Sequence, residues 1–310
     1  MKKTKYIVIG VLSLFLIWYF LIKQYDYLVR FEIKTSPGNL YKSLEEFNLA
    51  NSRIDSFTYV INDKTPFYRI NEDITINNVT INFDWKFNSM NDSTTLVKVG
   101  LIQDKNSLYN RLTAPFVSTK FKKIAFSVIK DFEKGVDFQL KNKIKVTILG
   151  NDTIPQITYA YIDIANVKMD DKATEMIKNN SVLLTFVKEH NLKRGDFPFV
   201  IVNDWNLKEE TISFRYCFPI VERDTLPIDN EIKYDKIQSI QALKAIYNGN
   251  YKTSDRGWFK LYEYAKNHEI GIEETPIEFY HNNPFYGGDE LKWVTEVYMP
   301  LKKDLGNNKN

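Results

Sequence analysis

Residues Leu291 to Leu301, LKWVTEVYMPL, place one carboxylate, Glu296, inside a run that otherwise reads as a buried β-strand. Strand alternation puts Val294, Glu296 and Tyr298 on one face and Trp293, Thr295, Val297 and Met299 on the other. A carboxylate between bulky, largely apolar neighbours must be paired, hydrogen-bonded or protonated, because an unsolvated charge costs several kcal/mol. A cationic ligand between aromatic faces would meet that need. So would an internal partner, and the sequence offers one. Setting Pro219 against Pro300 aligns FRYCFPI with TEVYMPL, and Arg215 then takes the position of Glu296. If Arg215 faces the same cleft, it neutralises Glu296 and favours zwitterionic or anionic ligands. Tyr161, Trp205, Tyr216, Phe218 and Tyr280 are aromatics on predicted strands and complete the candidate ligand contacts. A glutamate beside a tyrosine hydroxyl also has the groups for acid–base chemistry, and spacing alone does not separate catalysis from binding.

Other signatures of chemistry are missing. His190, His268 and His281 fall in loops and helix ends without ligand spacing, so no metal is expected. There is no phosphate-binding or dinucleotide-binding glycine loop and no G-x-S-x-G, and no cofactor is expected. The single cysteine, Cys217, cannot form an internal disulfide. Over 310 residues, 42 Lys and Arg against 39 Asp and Glu leave a net charge of +3, which predicts no nucleic-acid partner.

The N-terminus reads as a membrane segment. Lys2, Lys3 and Lys5 precede an uncharged stretch, residues 6–22, whose helical length of about 26 Å approaches a hydrocarbon core. Tyr6, Trp18 and Tyr19 sit near its ends, and no small-x-small cleavage site follows. The expectation is a single-pass anchor in the inner (cytoplasmic) membrane, with the N-terminus inside, the bilayer met through residues 6–22, and a periplasmic or otherwise extracytoplasmic body.

The elements that must position Glu296 divide into an anchor at 1–26, a first domain at 27–150, a second at 151–304 and a polar tail at 305–310. The fold class expected is α+β. LVRFEIKT alternates as a half-buried strand, SPGNLYKSLEEF opens a helix with Pro37 in its first turn, and residues 79–87 alternate as Val79, Ile81, Phe83, Trp85 and Phe87. A long helical pattern over 118–141 closes the domain. This order of elements resembles the START-like (SRPBCC, polyketide-cyclase-type) helix-grip domains, which implies a sheet wrapped on the last helix over a hydrophobic cavity. The polar stretch LGNDTIPQ, residues 149–156, reads as the turn between domains. The remainder reads as a duplicated unit of strand, helix, strand, strand, with a cleft where the copies meet.

TPIEFYHNNP followed by LKWVTEVYMPL, with its Trp-x-Thr-Glu-Val-Tyr-x-Pro run at Trp293 to Pro300, resembles the gyrase-inhibitor-like (GyrI-like) effector-binding domain, also the ligand sensor of AraC- and MerR-type activators. The resemblance covers roughly residues 152–304. It implies a central cleft for a small organic molecule, hydrophobic or aromatic and in some members cationic, with a glutamate at the position of Glu296 holding its charge and Tyr298 beside it. Some members are instead hydrolases of small electrophiles, which would make Glu296 the catalytic residue together with a tyrosine hydroxyl. A non-catalytic scaffold with filled cavities is the third reading. No helix-turn-helix is readable, and the protein partner of any signal is not specified.

Overall fold

The computed structural model describes residues 2–19, 23–54, 56–113, 116–282 and 284–302. The expected tail at 305–310 lies outside them, as do residues 20–22 of the expected membrane span. The chain divides into two compact units, residues 1–136 and 137–310. The architecture is mixed α and β, with two antiparallel sheets.

The membrane expectation is corrected. Helix α1 runs Lys2–Ile17, 16 residues, and gives way to a π-turn at Trp18 and Tyr19. At 1.5 Å per residue it reaches about 24 Å, against a core of about 30 Å. No described helix is long and apolar enough to cross a membrane. This overturns the anchor in the fold class, the bilayer contact through residues 6–22 and the inner-membrane placement with an extracytoplasmic body.

The first unit holds β1 (Tyr27–Ile33), α2 (Pro37–Asn51), β2 (Phe57–Thr65), β3 (Arg69–Ile76), β4 (Val79–Asn91), β5 (Thr94–Ile102), the short α3 (Ser107–Thr113) and most of α4 (Lys120–Asn142). The sheet order is β1-β5-β4-β3-β2. Alternation along β4 sends Ile81, Phe83, Trp85 and Phe87 to the helix side, where each is nearly inaccessible. The space under α4 is filled by rings: Trp85 meets Phe132 at 5.1 Å and Phe47 meets Phe132 at 5.8 Å. Each such side chain contributes roughly 1.5–3 kcal/mol by burial. One acid sits among them. Glu72 of β3 is fully buried and accepts from Asn48 Nδ2 of α2 at 2.5 Å and Trp85 Nε1 at 3.0 Å.

The second unit holds β6 (Ile144–Ile154), β7 (Ile157–Lys168), α5 (Lys172–Glu189), β8 (Phe199–Asn206), β9 (Thr211–Pro219), β10 (Lys233–Ile237), β11 (Ile240–Gly249), α6 (Asp255–Asn267), β12 (Ile277–Tyr280) and β13 (Val294–Pro300). They form one sheet in the order β10-β7-β9-β8-β12-β13-β11-β6. Strand, helix, strand, strand occurs twice, and β8 pairs β12 where the copies meet. Of the expected turn at 149–156, residues 149–154 are instead the second half of β6, and Pro155 and Gln156 alone form a link. Gly150, at φ +92°, pairs Lys244 while Ile148 pairs Ala245, so Leu149 is the extra residue of a bulge in an edge strand.

Two-residue links make this sheet curl. Only Pro155 and Gln156 join β6 to β7, which lie six strands apart in the sheet. A flat sheet would separate them by roughly 29 Å, whereas the link reaches about 10 Å. The sheet therefore bends its helix-free face inward. Ile154 and Ile157 meet there in one apolar cluster with Tyr159, Tyr161, Phe199, Ile277 and Tyr298.

Helices α5 and α6 cover the other face. Gly257 of α6 rests on β13, where an added Cβ would lie 2.8 Å from Val297 Cγ2. Valine is stiff about its first side-chain bond and cannot swing away. Gly257→Ala is therefore expected to lower stability by about 1–3 kcal/mol from overpacking, less the ~1 kcal/mol that alanine returns as a helix former. A urea midpoint equal to or above wild type would count against this close packing.

Candidate ligand-binding site

Antiparallel pairing carries side chains across the concave face in continuous rows. One row runs Lys244, Tyr298, Ile277, Ile201, Arg215 and Asp163. The next runs Ile246, Glu296, Phe279, Phe199, Cys217 and Tyr161. Glu296 thus stands on a floor of rings: Phe199 stacks on Phe279 at 5.0 Å, and Phe279 meets Tyr298 edge-on at 5.7 Å.

Three groups attend the Glu296 carboxylate, whose side chain is 26% exposed. Lys244 Nζ lies 3.1 Å from Oε1, and Tyr298 donates its hydroxyl to Oε2 at 3.0 Å. His281 Nε2 is 3.8 Å from Oε2, its ring tilted against Phe197 with centroids 4.1 Å apart. Lys244 also meets Asp152 at 3.0 Å, an acid placed there two residues after the bulge in β6. Burial alone would lower the Lys244 pKa, but hydrogen bonding to Tyr298, Asp152 and Glu296 outweighs it and raises it. The same lysine holds the Asp152 carboxyl below its ordinary range. Tyr298 is pushed up to about 12, chiefly by burial, so its hydroxyl keeps its proton at neutral pH.

Arg215 lies on the same face three strands away, roughly 14 Å along the sheet. Its Nη1 meets Asp235 at 2.8 Å and donates to Tyr159 Oη at 3.2 Å, and its Nε lies 3.4 Å from Asp163. The guanidinium covers the Tyr161 ring at 4.4 Å. The internal salt bridge weighed for Glu296 and Arg215 is not formed, since each finds its partners within its own copy.

Of the residues proposed from sequence, Glu296, Tyr298, Arg215 and Tyr161 share the concave face. Tyr216, Phe218, Trp205 and Tyr280 face the helices. Tyr216 donates to Asn180 of α5 at 3.0 Å, Phe218 lies under Arg194 at 4.2 Å, and Trp205 packs on Trp258 of α6 at 5.5 Å. Tyr280 donates to Glu278 beneath the sheet. Alternation already separates Tyr216 and Phe218 from Arg215, and Tyr280 from Phe279. Trp205 is turned by a register shift between Val202 and Asp204 that the sequence does not mark. Sequence reading missed Lys244, Asp152 and Phe279, and set His281 aside as one of three histidines without ligand spacing. Lys244 carries the same signal as Glu296, a lone charge inside an apolar strand, ALKAIY.

The sheet also buries an acid on its helix side. Glu278 is inaccessible and accepts from Lys172 Nζ at 2.6 Å and Trp258 Nε1 at 2.9 Å. Lys172 in turn donates to Ser254 Oγ at 2.8 Å and sits 4.5 Å from the Trp258 ring centre.

The model of the GyrI-like small molecule binding domain matches residues 179–302, from within α5 to the end of β13. This stretch is a GyrI-like domain. The match takes in Glu296 and Arg215 and leaves residues 27–150 outside it. The START-like resemblance is not supported; it rested on element order, which many unrelated α+β folds share.

A search of curated proteins returned no match. Among solved structures, the EcmrR C-terminal domain is similar at 18% identity and a TM-score of 0.44, covering 52% of this chain and 98% of that one. An EcmrR–DNA complex has the same identity and TM-score, with 65% and 74% covered. A hydrolase from Listeria innocua reaches 10% identity and a TM-score of 0.34, with 55% and 98% covered. The exclusion of nucleic acid is withdrawn, because it rested on net charge alone. A net charge averaged over 310 residues does not speak for any one surface of the chain.

Proposed function

We propose that the concave face of the GyrI-like domain binds a small aromatic molecule, with Glu296 and Tyr298 supplying the polar contacts and the half-buried Phe279 ring, backed by the buried Phe199, the floor. The observation that carries this reading is the Glu296 carboxylate itself. It is held at a fixed place by Lys244 and Tyr298, on a side chain that is 26% exposed beside the Phe279 ring. A few convergent polar groups set in an apolar concavity are the ordinary composition of a small-molecule site. Arg215 and Tyr161 form the far wall of the same face.

Thermal stabilisation of the full chain by aromatic ligands of each charge class tests it. A ligand that binds only the folded protein adds about 2.7 kcal/mol at a hundredfold excess over its Kd, a clear melting shift. Glu296→Gln keeps the shape and removes the charge, and is expected to weaken binding at least tenfold. If no ligand shifts the melting point, or the shift survives Glu296→Gln undiminished, Glu296 does not hold a ligand.

A further inference from the structure

We propose that Lys244 sets the charge preference of this face, so that it takes a neutral aromatic ligand bearing an N–H or O–H donor and discriminates against aromatic cations. This rests on reading the concave face as the ligand site.

The carboxylate that would attract a cation is already engaged. Lys244 Nζ stands 3.1 Å from one oxygen of Glu296 and 3.0 Å from Asp152, so its charge is shared by two acids. It also lies 5.0 Å from the Tyr298 ring centre, the position a ligand cation would take over that ring. Lys244 is the more enclosed partner, its side chain 14% exposed against 43% for Asp152. Water therefore screens Asp152 more than it screens the inner pair. An incoming cation meets an ammonium beside the acid it needs, and the attraction of one largely cancels against the repulsion of the other. The far end of the face repeats this arrangement with the same signs, a cation, Arg215, held between two acids, Asp235 and Asp163.

Hydrogen-bond acceptors remain. Tyr298 has given its proton to Glu296 Oε2 and its oxygen already meets Lys244, so the acceptor capacity left at this place is that of Glu296. Each Glu296 oxygen keeps acceptor capacity beyond its present partner. An anion would meet these acceptors unfavourably. A neutral donor on a flat ring fits both them and the half-buried Phe279 ring, which the buried Phe199 backs. Discrimination then comes from a repulsive element, Lys244, as much as from any attractive one.

Three probes of nearly one shape separate the classes: 4-phenylphenol, 1-methyl-4-phenylpyridinium and biphenyl-4-carboxylate, titrated at pH 7 into the full chain. Wild type is expected to bind the phenol at least tenfold tighter than the pyridinium. Lys244→Met is expected to raise pyridinium affinity at least tenfold while moving phenol affinity less than threefold. Lys244→Arg, which keeps the charge, should preserve the wild-type order and guards against loss of folding in the methionine variant. Preference of wild type for the pyridinium or the carboxylate, or a Lys244→Met variant with unchanged pyridinium affinity, overturns the proposal and leaves the ligand site standing. No binding of any probe to any form overturns the site and this proposal together.

Discussion

Lys172→Met is expected to destabilise the second unit by about 3–5 kcal/mol, because it strands the Glu278 carboxylate where water cannot reach it. Both side chains are essentially inaccessible, at 2% and 0% exposure, and the carboxylate is closed in by Lys172, Trp258 and Tyr280. Removing one member leaves a desolvated charge unpaired, and that cost exceeds the net worth of the pair itself. The double variant Lys172→Met with Glu278→Gln should recover most of the loss, since a neutral amide can accept from Trp258 through its oxygen and donate its N–H to the Tyr280 hydroxyl. Urea unfolding followed by amide exchange in peptides of β8, β12 and α6 reads the effect. A single variant within 1 kcal/mol of wild type would mean that water or a shifted side chain replaces the lysine.

The first unit is expected to lose stability as pH rises from about 4.5 to about 7. Burial pushes the Glu72 carboxyl up from its ordinary 4.5 to about 7, against the opposing pull of its bonds from Asn48 and Trp85. Below pH 4.5 the folded and unfolded chains both carry this proton. Between 4.5 and 7 only the folded chain binds it, so rising pH favours unfolding, and above 7 the whole contribution is gone. The window corresponds to about 3 kcal/mol. Glu72→Gln should flatten the dependence and leave the variant more stable than wild type at pH 8. Amide exchange in peptides of β3 to β5, compared at pH 5 and pH 8, provides the measurement. An equal pH slope in wild type and Glu72→Gln would assign the effect to another group.

The sequence made the strands and their faces readable wherever alternation was clean. Val79 to Phe87 point as their spacing predicts, and Glu296 and Tyr298 share a face because they are two residues apart. Information was lost where the partner is distant or the period slips. Lys172 begins a helix and looks solvated; nothing near it announces an acid 106 residues further on. The polar stretch at 149–156 has turn chemistry, yet an edge strand accommodates residues 149–154 through one bulge at Gly150. The long apolar N-terminal pattern predicted a span that the 16 residues of α1 do not provide.

The two halves of the eight-stranded sheet meet through three residue pairs, Ile277 with Ile201, Glu278 with Val200 and Phe279 with Phe199, flanked by one backbone hydrogen bond at each end, Val202 to Pro276 and Tyr280 to Pro198. So short a seam gives the backbone little grip, and β12 works as a rivet headed on both sides. Its inner head is the Glu278 cluster, and its outer head is the Phe279 ring on the floor of the concave face. A molecule seated on that floor would therefore also brace the joint from outside, and the domain would respond to it mechanically, as a hinge with one leaf pinned.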